Sequence, residues 1–167
     1  MGRYKIFATQ RGFSMVELMV VLAIIAIIAA ASTLNLVTGL PKYRVKAAAR
    51  DLTSKMRKAR STAVKEQRPI SIFFDPDKNV YRIDGHRFPV KGPLSDRYGS
   101  GVSFGRGGSD SRDPVTFTVD MVTFNPQGLS RTGYVYLTNI RGDTYAAGVR
   151  NFAGSIVLRQ WINGKRR

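Results

Sequence analysis

The sequence predicts an α+β protein, with one long N-terminal helix packed in its second half on a small antiparallel β-sandwich. Three observations carry that expectation. Between Glu17 and Lys42 stand 24 residues without a charge. From Lys42 to Arg68 the apolar residues recur at spacings of four and three, as on a helix with one buried face. Beyond Pro69 the pattern changes to short runs of β-branched and aromatic residues separated by turn residues, as in strands. The chain therefore divides into a basic leader (1–12), an apolar helical half (13–36), an amphipathic helical half (37–68) and a β-rich domain (69–167).

A helix of 24 residues is about 36 Å long, enough to cross a hydrocarbon core of roughly 30 Å. Residues 13–36 are thus expected to span a membrane. Glu17 is what a mere anchor does not need. A carboxylate one turn inside such a segment costs on the order of 2.5 to 3.5 kcal/mol, so it calls for a charged partner. Cleavage between Gly12 and Phe13 would create one, because the new α-amino group of Phe13 lies four residues before Glu17 on the same helical face. The same amine on a neighbouring subunit would serve equally well. Two plainer readings compete. An ordinary secretory signal would use the same basic start and apolar core, with Ala29-Ala30-Ala31 as its cleavage site. A simple single-span anchor would leave the acid unpaired. Lys42, Arg44 and Lys46 follow the run as closely as Arg3, Lys5 and Arg11 precede it, so flanking charge does not set the orientation.

In the amphipathic half, Val45, Ala49, Leu52, Met56, Ala59 and Ala63 form the apolar stripe, with Arg50, Lys55, Arg57, Lys58, Arg60 and Lys65 mostly off it. Arg68-Pro69 ends the helix, since the residue before proline is pushed out of the α region. Gly39 and Pro41 should bend or loosen it. The strands expected are Ile70 to Phe74, Val80 to Ile83, Val115 to Val119, Met121 to Phe124, Tyr134 to Thr138, Tyr145 to Val149 and Ser155 to Ile162, in two small sheets on the helical stripe. Residues 100–114, rich in glycine, read as a mobile loop, and no internal repeat is evident.

The leader, the Gly-Phe junction, the acid at Glu17 and the apolar run resemble, in register, the N-terminus of the type IV pilin and type II secretion pseudopilin superfamily. The resemblance implies that prepilin peptidase cuts after Gly12, that Phe13 becomes N-methylated, and that Glu17 docks on the amine of a neighbouring subunit. It also implies a single-pass inner-membrane protein with its C-terminal domain in the periplasm. The absence of cysteine leans toward the minor pilin and pseudopilin branch. Three later segments are similar to the narrower family that joins the type II secretion minor pseudopilin H to FimT-type minor pilins. They are Lys58-Ala59-Arg60-Ser61-Thr62-Ala63, Phe124-Asn125-Pro126-Gln127-Gly128 and Gly154-Ser155-Ile156-Val157-Leu158. The partners so implied are other minor and major pseudopilins.

Chemistry of other kinds finds little support. Asp75, Asp77 and Asn79 have the spacing of a calcium loop, but Val80 stands where glycine is needed and His86 where a bidentate Glu is needed, so a plain turn is expected. His86 is the only histidine and lacks triad or zinc partners. Gly105-Arg106-Gly107-Gly108 is followed by no Gly-Lys-Ser/Thr and is no phosphate loop. No enzyme, cofactor or metal is expected. Charge is the remaining signal: the chain carries +16, and after loss of the leader 24 basic residues face 11 acidic ones. Ten of the basic residues lie between Lys42 and Arg68, and Lys165, Arg166 and Arg167 close the chain near Trp161. Such a surface attracts DNA, with Trp161 or Tyr134 available for stacking, or it is a solvated face near anionic lipid headgroups. Gly164-Lys165-Arg166-Arg167 is similar to the basic motif through which FimT-type proteins bind DNA, with Lys165 in place of arginine.

Overall fold

The computed structural model describes residues 13–84, 93–99, 101–106, 112–162 and 165–166, and of 31–38, 162, 165 and 166 it describes the backbone alone. The chain forms two compact units, Met1–Gly39 and Leu40–Arg167. Helix α1 (Met15–Glu66) contributes to both and continues through Pro41. It begins two residues later than Phe13 because Ser14 caps it, its Oγ accepting from the Val16 amide at 3.3 Å.

Every described side chain of the first unit is exposed. Among the described residues no helix is long and apolar enough to cross a membrane. The side chains of 31–38, which complete the expected span 13–36, lie outside the described residues.

In the second unit the expected stripe is buried: Val45, Ala49, Leu52, Met56, Ala59 and Ala63 are each at most 1% exposed, and Ala48 joins them. Thr53 is also buried, and its hydroxyl donates to the Ala49 carbonyl at 2.8 Å. The helix ends as the sequence anticipates, with a cap that does not use glycine. Gln67 takes the left-handed conformation (φ 51°), and the Arg68 amide reaches back to the Ala63 carbonyl. That six-to-one bond closes a Schellman motif, and the Gln67 side-chain amide covers the Val64 carbonyl at 2.7 Å.

Two antiparallel sheets pack on this stripe. The first has the order β2-β1-β4, built from β1 (Ile70–Asp75), β2 (Val80–Ile83) and β4 (Met121–Phe124). The second has the order β3-β5-β6-β7-β8, built from β3 (Ser103–Phe104), β5 (Gly133–Thr138), β6 (Thr144–Val149), β7 (Ile156–Ile162) and β8 (Lys165–Arg166). One core joins them to the helix: Ile70, Ile72, Phe74, Val122 and Phe124 come from the first sheet, and Val135, Leu137, Tyr145, Ala147 and Val149 from the second.

Two expectations need correction. Val115–Val119 is not a strand. Val115 makes one bridge to Val135, and a 3-10 turn (Thr118–Asp120) follows in which Val119 is left-handed at φ 58° and 85% exposed, a conformation that breaks a ladder. The stretch 100–114 is more than a loop, because β3 lies in it and pairs with β5, Ser103 opposite Thr138. The segment before it holds a short helix α2 (Leu94–Tyr98) with Leu94 buried. Tertiary bonds hold α2: the Asp51 carboxylate on α1 accepts from the hydroxyls of Tyr98 at 2.5 Å and Tyr81 at 3.3 Å, and pairs with Arg97 at 3.4 Å. Burial raises the Tyr81 phenol to about 12, with the Asp51 charge adding to it. Burial pushes Tyr98 up as well, followed by its hydrogen bond to Asp51, with the Tyr81 and Asp51 charges adding to it.

Candidate functional site

Phe13 and Glu17 stand at the exposed start of α1, Phe13 at 83% exposure. Gly12 lies outside the described residues. With Ser14 as the cap, Glu17 occupies the third helical position, in the first turn. A carboxylate there faces the positive end of the helix dipole, an interaction of about 0.3–1 kcal/mol. Ser14-Met15-Val16-Glu17 has the capping-box spacing, a signal that could have been read directly from the sequence. Glu17 thus has a local role beside any contact with an amine. An amine on Phe13 would place positive charge at the unfavourable end of the dipole, and Glu17 offsets it.

The three segments that carry the narrower resemblance meet at Arg60. Its Nε donates to the Gly128 carbonyl at 2.9 Å, and its Nη2 donates to the Ala153 carbonyl at 3.1 Å. Helix α1 is thereby tied to two turns, one before β5 and one before β7. A Cβ on Gly154 would lie 2.2 Å from the Gly128 carbonyl oxygen and 2.9 Å from Arg60 Nε, and the residue is left-handed at φ 71°, so only glycine fits. A groove of about 640 Å³ opens beside this junction, lined by Arg57, Arg60, Ser61, Val64, Lys65 and Ile156 among others.

These turns belong to a set whose shared construction sequence reading missed. Asn125-Pro126-Gln127-Gly128, Asn139-Ile140-Arg141-Gly142 and Asn151-Phe152-Ala153-Gly154 share one construction. In each the glycine is left-handed and its amide donates to the asparagine carbonyl, at 2.9, 3.0 and 3.0 Å. In each the asparagine Oδ1 accepts from the amide four residues on, at Leu129, Asp143 and Ser155. The threefold Asn-x-x-Gly spacing is legible in the chain, but it looks like scattered polar residues until the strand ends are known.

The basic tail is not a free arm. Strand β8 pairs antiparallel with β7, Arg166 opposite Trp161 and Lys165 opposite Ile162. The side chains of Lys165 and Arg166, and all of Gly164 and Arg167, lie outside the described residues. Trp161 packs edge-on against Tyr136 at 5.5 Å between ring centres, while Arg159 lies over Tyr134 at 6.0 Å. Asp75 sits in a turn of the expected kind: the Lys78 amide donates to its carboxylate at 2.9 Å and holds it below the ordinary carboxylate range. Asn79 is left-handed, and its side chain bonds Val102 and Phe104 on either side of Ser103, fixing β3. His86 lies outside the described residues, as do Gly107 and Gly108.

Residues 8–33 match the model of the prokaryotic N-terminal methylation motif, and residues 48–151 match that of the type II transport protein GspH. No curated protein matches the chain. Two crystal forms of the Pseudomonas aeruginosa type IV minor pilin FimU resemble it in structure. One is 18% identical with a TM-score of 0.51 over 75% of this chain and 94% of that one. The other is 19% identical with a TM-score of 0.48 over 73% and 96%. At this identity the likeness of the first is one of fold, an α+β pilin fold with a helix on antiparallel sheets. The family-model match covers more than half of the sequence and includes the Arg60 segment and the Asn125 turn, and the chain belongs to the GspH family of pilins and pseudopilins.

Proposed function

We propose that this chain is a minor pseudopilin, a structural subunit at the tip of a type II secretion pseudopilus that supports protein export across the outer membrane. Prepilin peptidase removes residues 1–12, Phe13 receives the methyl group, and residues 13–36 anchor the subunit in the inner membrane with Leu40–Arg167 in the periplasm. Glu17 then docks on the terminal amine of a neighbouring pseudopilin. The observation that carries this reading is the start of α1: a helix whose apolar side chains are exposed on every described side, with one acid in its first turn directly after the Gly12-Phe13 junction. Such a surface is stable only in lipid or among similar helices. Mass spectrometry of the purified N-terminus tests it, with a mature start at a methylated Phe13 expected. A start at Ser32, behind the alanine run, would mean that an ordinary signal peptidase had acted.

A second reading, a FimT-type minor type IV pilin that takes up DNA or aids pilus assembly, is favoured by the basic tail, which is built onto the edge of the second sheet. In that reading Lys165, Arg166 and Arg167 contact phosphates. A deletion strain assayed for exoprotein secretion and for transformation separates the two.

A further inference from the structure

Strand β4 is an edge of the first sheet, and a short stretch of that edge is open. The Ser71 carbonyl on β1 accepts from Asp84 at 2.8 Å, on the side of β2, so Ser71 and Thr123 form a non-hydrogen-bonded pair, with their hydroxyls 2.8 Å apart. By the alternation of the ladder, the Met121 carbonyl and the Thr123 amide therefore point away from β1. Among the described residues neither makes a hydrogen bond. The opening is closed at both ends. At one end the Asn125 amide donates to the Leu129 carbonyl at 3.0 Å and Phe124 bridges to Ser130, and at the other stands the turn Thr118–Asp120. A groove runs along it, lined by Val119, Met121, Thr123, Leu129, Arg131 and Phe152 among others. Val119, Leu129 and Phe152 are apolar side chains left in the open, Phe152 at 70% exposure. The one charged residue of the lining is Arg131, which is exposed and enters no ion pair among the described residues.

We propose that this groove captures the carboxyl end of another protein chain, one that finishes in apolar residues. A strand running straight through would collide with the bridge between Phe124 and Ser130, so a chain enters only by its end. Laid parallel to β4, its last residue donates its N–H to the Met121 carbonyl and accepts the Thr123 N–H on its carboxylate, the two bonds that one residue makes across a parallel ladder. Arg131 follows the bridging Ser130 at the closed end of the groove, so its unpaired guanidinium complements the negative charge of that carboxylate. The same cation repels an amino terminus or a basic side chain. Val119, Leu129 and Phe152 receive the apolar side chains of the last residues, which accounts for their grouping in the open. The proposal uses only residues of Leu40–Arg167 and needs neither the secretion reading nor the DNA-uptake reading.

The full chain in non-ionic detergent is titrated with the hexapeptide Gly-Ser-Gly-Thr-Val-Ile, labelled at its amino end, as the free acid and as the carboxamide. The free acid should bind roughly 10- to 150-fold more tightly, since hydrogen bonds to a charged group are the strong ones. Hydrogen exchange at the Thr123 amide should slow when the free acid saturates the protein. Arg131→Gln, at an exposed position, should leave the unfolding midpoint unchanged and remove the preference for the acid. Phe152→Ala should weaken both peptides roughly 5- to 30-fold, as loss of an aromatic anchor does. Failure of the free acid to bind, equal affinity for acid and amide, or binding that leaves the Thr123 amide unprotected would overturn the proposal. Self-association of the chain that Phe152→Ala abolishes would also overturn it and make a second copy the occupant. Binding to phosphatidylglycerol vesicles that depends on Phe152 and competes with the peptide would assign the patch to lipid instead.

Discussion

Met1–Gly39 carries its described apolar side chains in the open, whereas Leu40–Arg167 buries a core around the stripe from Val45 to Ala63. The same helix runs through both. In its first half apolar residues stand on all sides, and in its second they keep to one face. A helix apolar all round asks for lipid or other helices, while one with a single stripe is satisfied by its own sheets. The two units therefore answer to different tests: the first by what it joins, the second by how well it holds together.

The sharpest way to break this contrast is to damage each unit in turn. Phe124 is fully buried between the helix and both sheets, and Phe124→Ala should destabilise the protein by about 3–5 kcal/mol in urea denaturation. Glu17→Ala should leave that denaturation midpoint unchanged and membrane insertion intact or improved. It should reduce crosslinking to partner pseudopilins, because the charge that meets a neighbour's amine is gone. Full assembly by the Ala variant would show that Glu17 serves only as a first-turn acid.

How far the sequence speaks for each unit follows the same division. In the first unit nearly everything is a linear motif, so Gly12, Phe13 and Glu17 are readable without any fold. In the second, periodicity reveals the helical stripe and the strands Val80–Ile83 and Met121–Phe124, because local pattern and burial agree there. It fails at Val119, whose β-branched side chain favours a strand while the following turn forces φ to 58°. It also misses α2, five residues with no periodicity to read, held instead by long-range bonds from Tyr98 and Arg97 to Asp51.

Alkaline pH should open the second unit and spare the first. Tyr81 is neutral in the folded state up to about 12, while in the unfolded chain it ionises near 10. A raised folded-state value means that its stabilising contribution is complete below pH 10 and is lost as the pH climbs toward about 12. Tyr98 acts in the same direction. Near-ultraviolet circular dichroism should therefore fall across that window together with phenolate absorbance. In Tyr81→Phe the fall should begin at higher pH and be shallower; an unchanged profile would mean that the Asp51 cluster does not control it.

Arg60 offers the finest test, since one side chain on α1 joins two turns that no other described side chain bridges to the helix in this way. Arg60→Ala removes two donors and leaves the Gly128 and Ala153 carbonyls to water at a partly exposed site, so a loss of about 1–3 kcal/mol is expected. Arg60→Lys keeps the charge but supplies a single ammonium where a planar fork reached two carbonyls, and it should recover less than half of that loss. Gly154→Ala strikes the same junction from the other side, through a left-handed φ and a Cβ pressed on the Gly128 carbonyl. If the staple couples the turns to the helix, Arg60→Ala and Gly154→Ala together should cost less than the sum of their separate effects. Strict additivity in that double-mutant cycle would mean that each turn is held by its own asparagine and that Arg60 only lies across them.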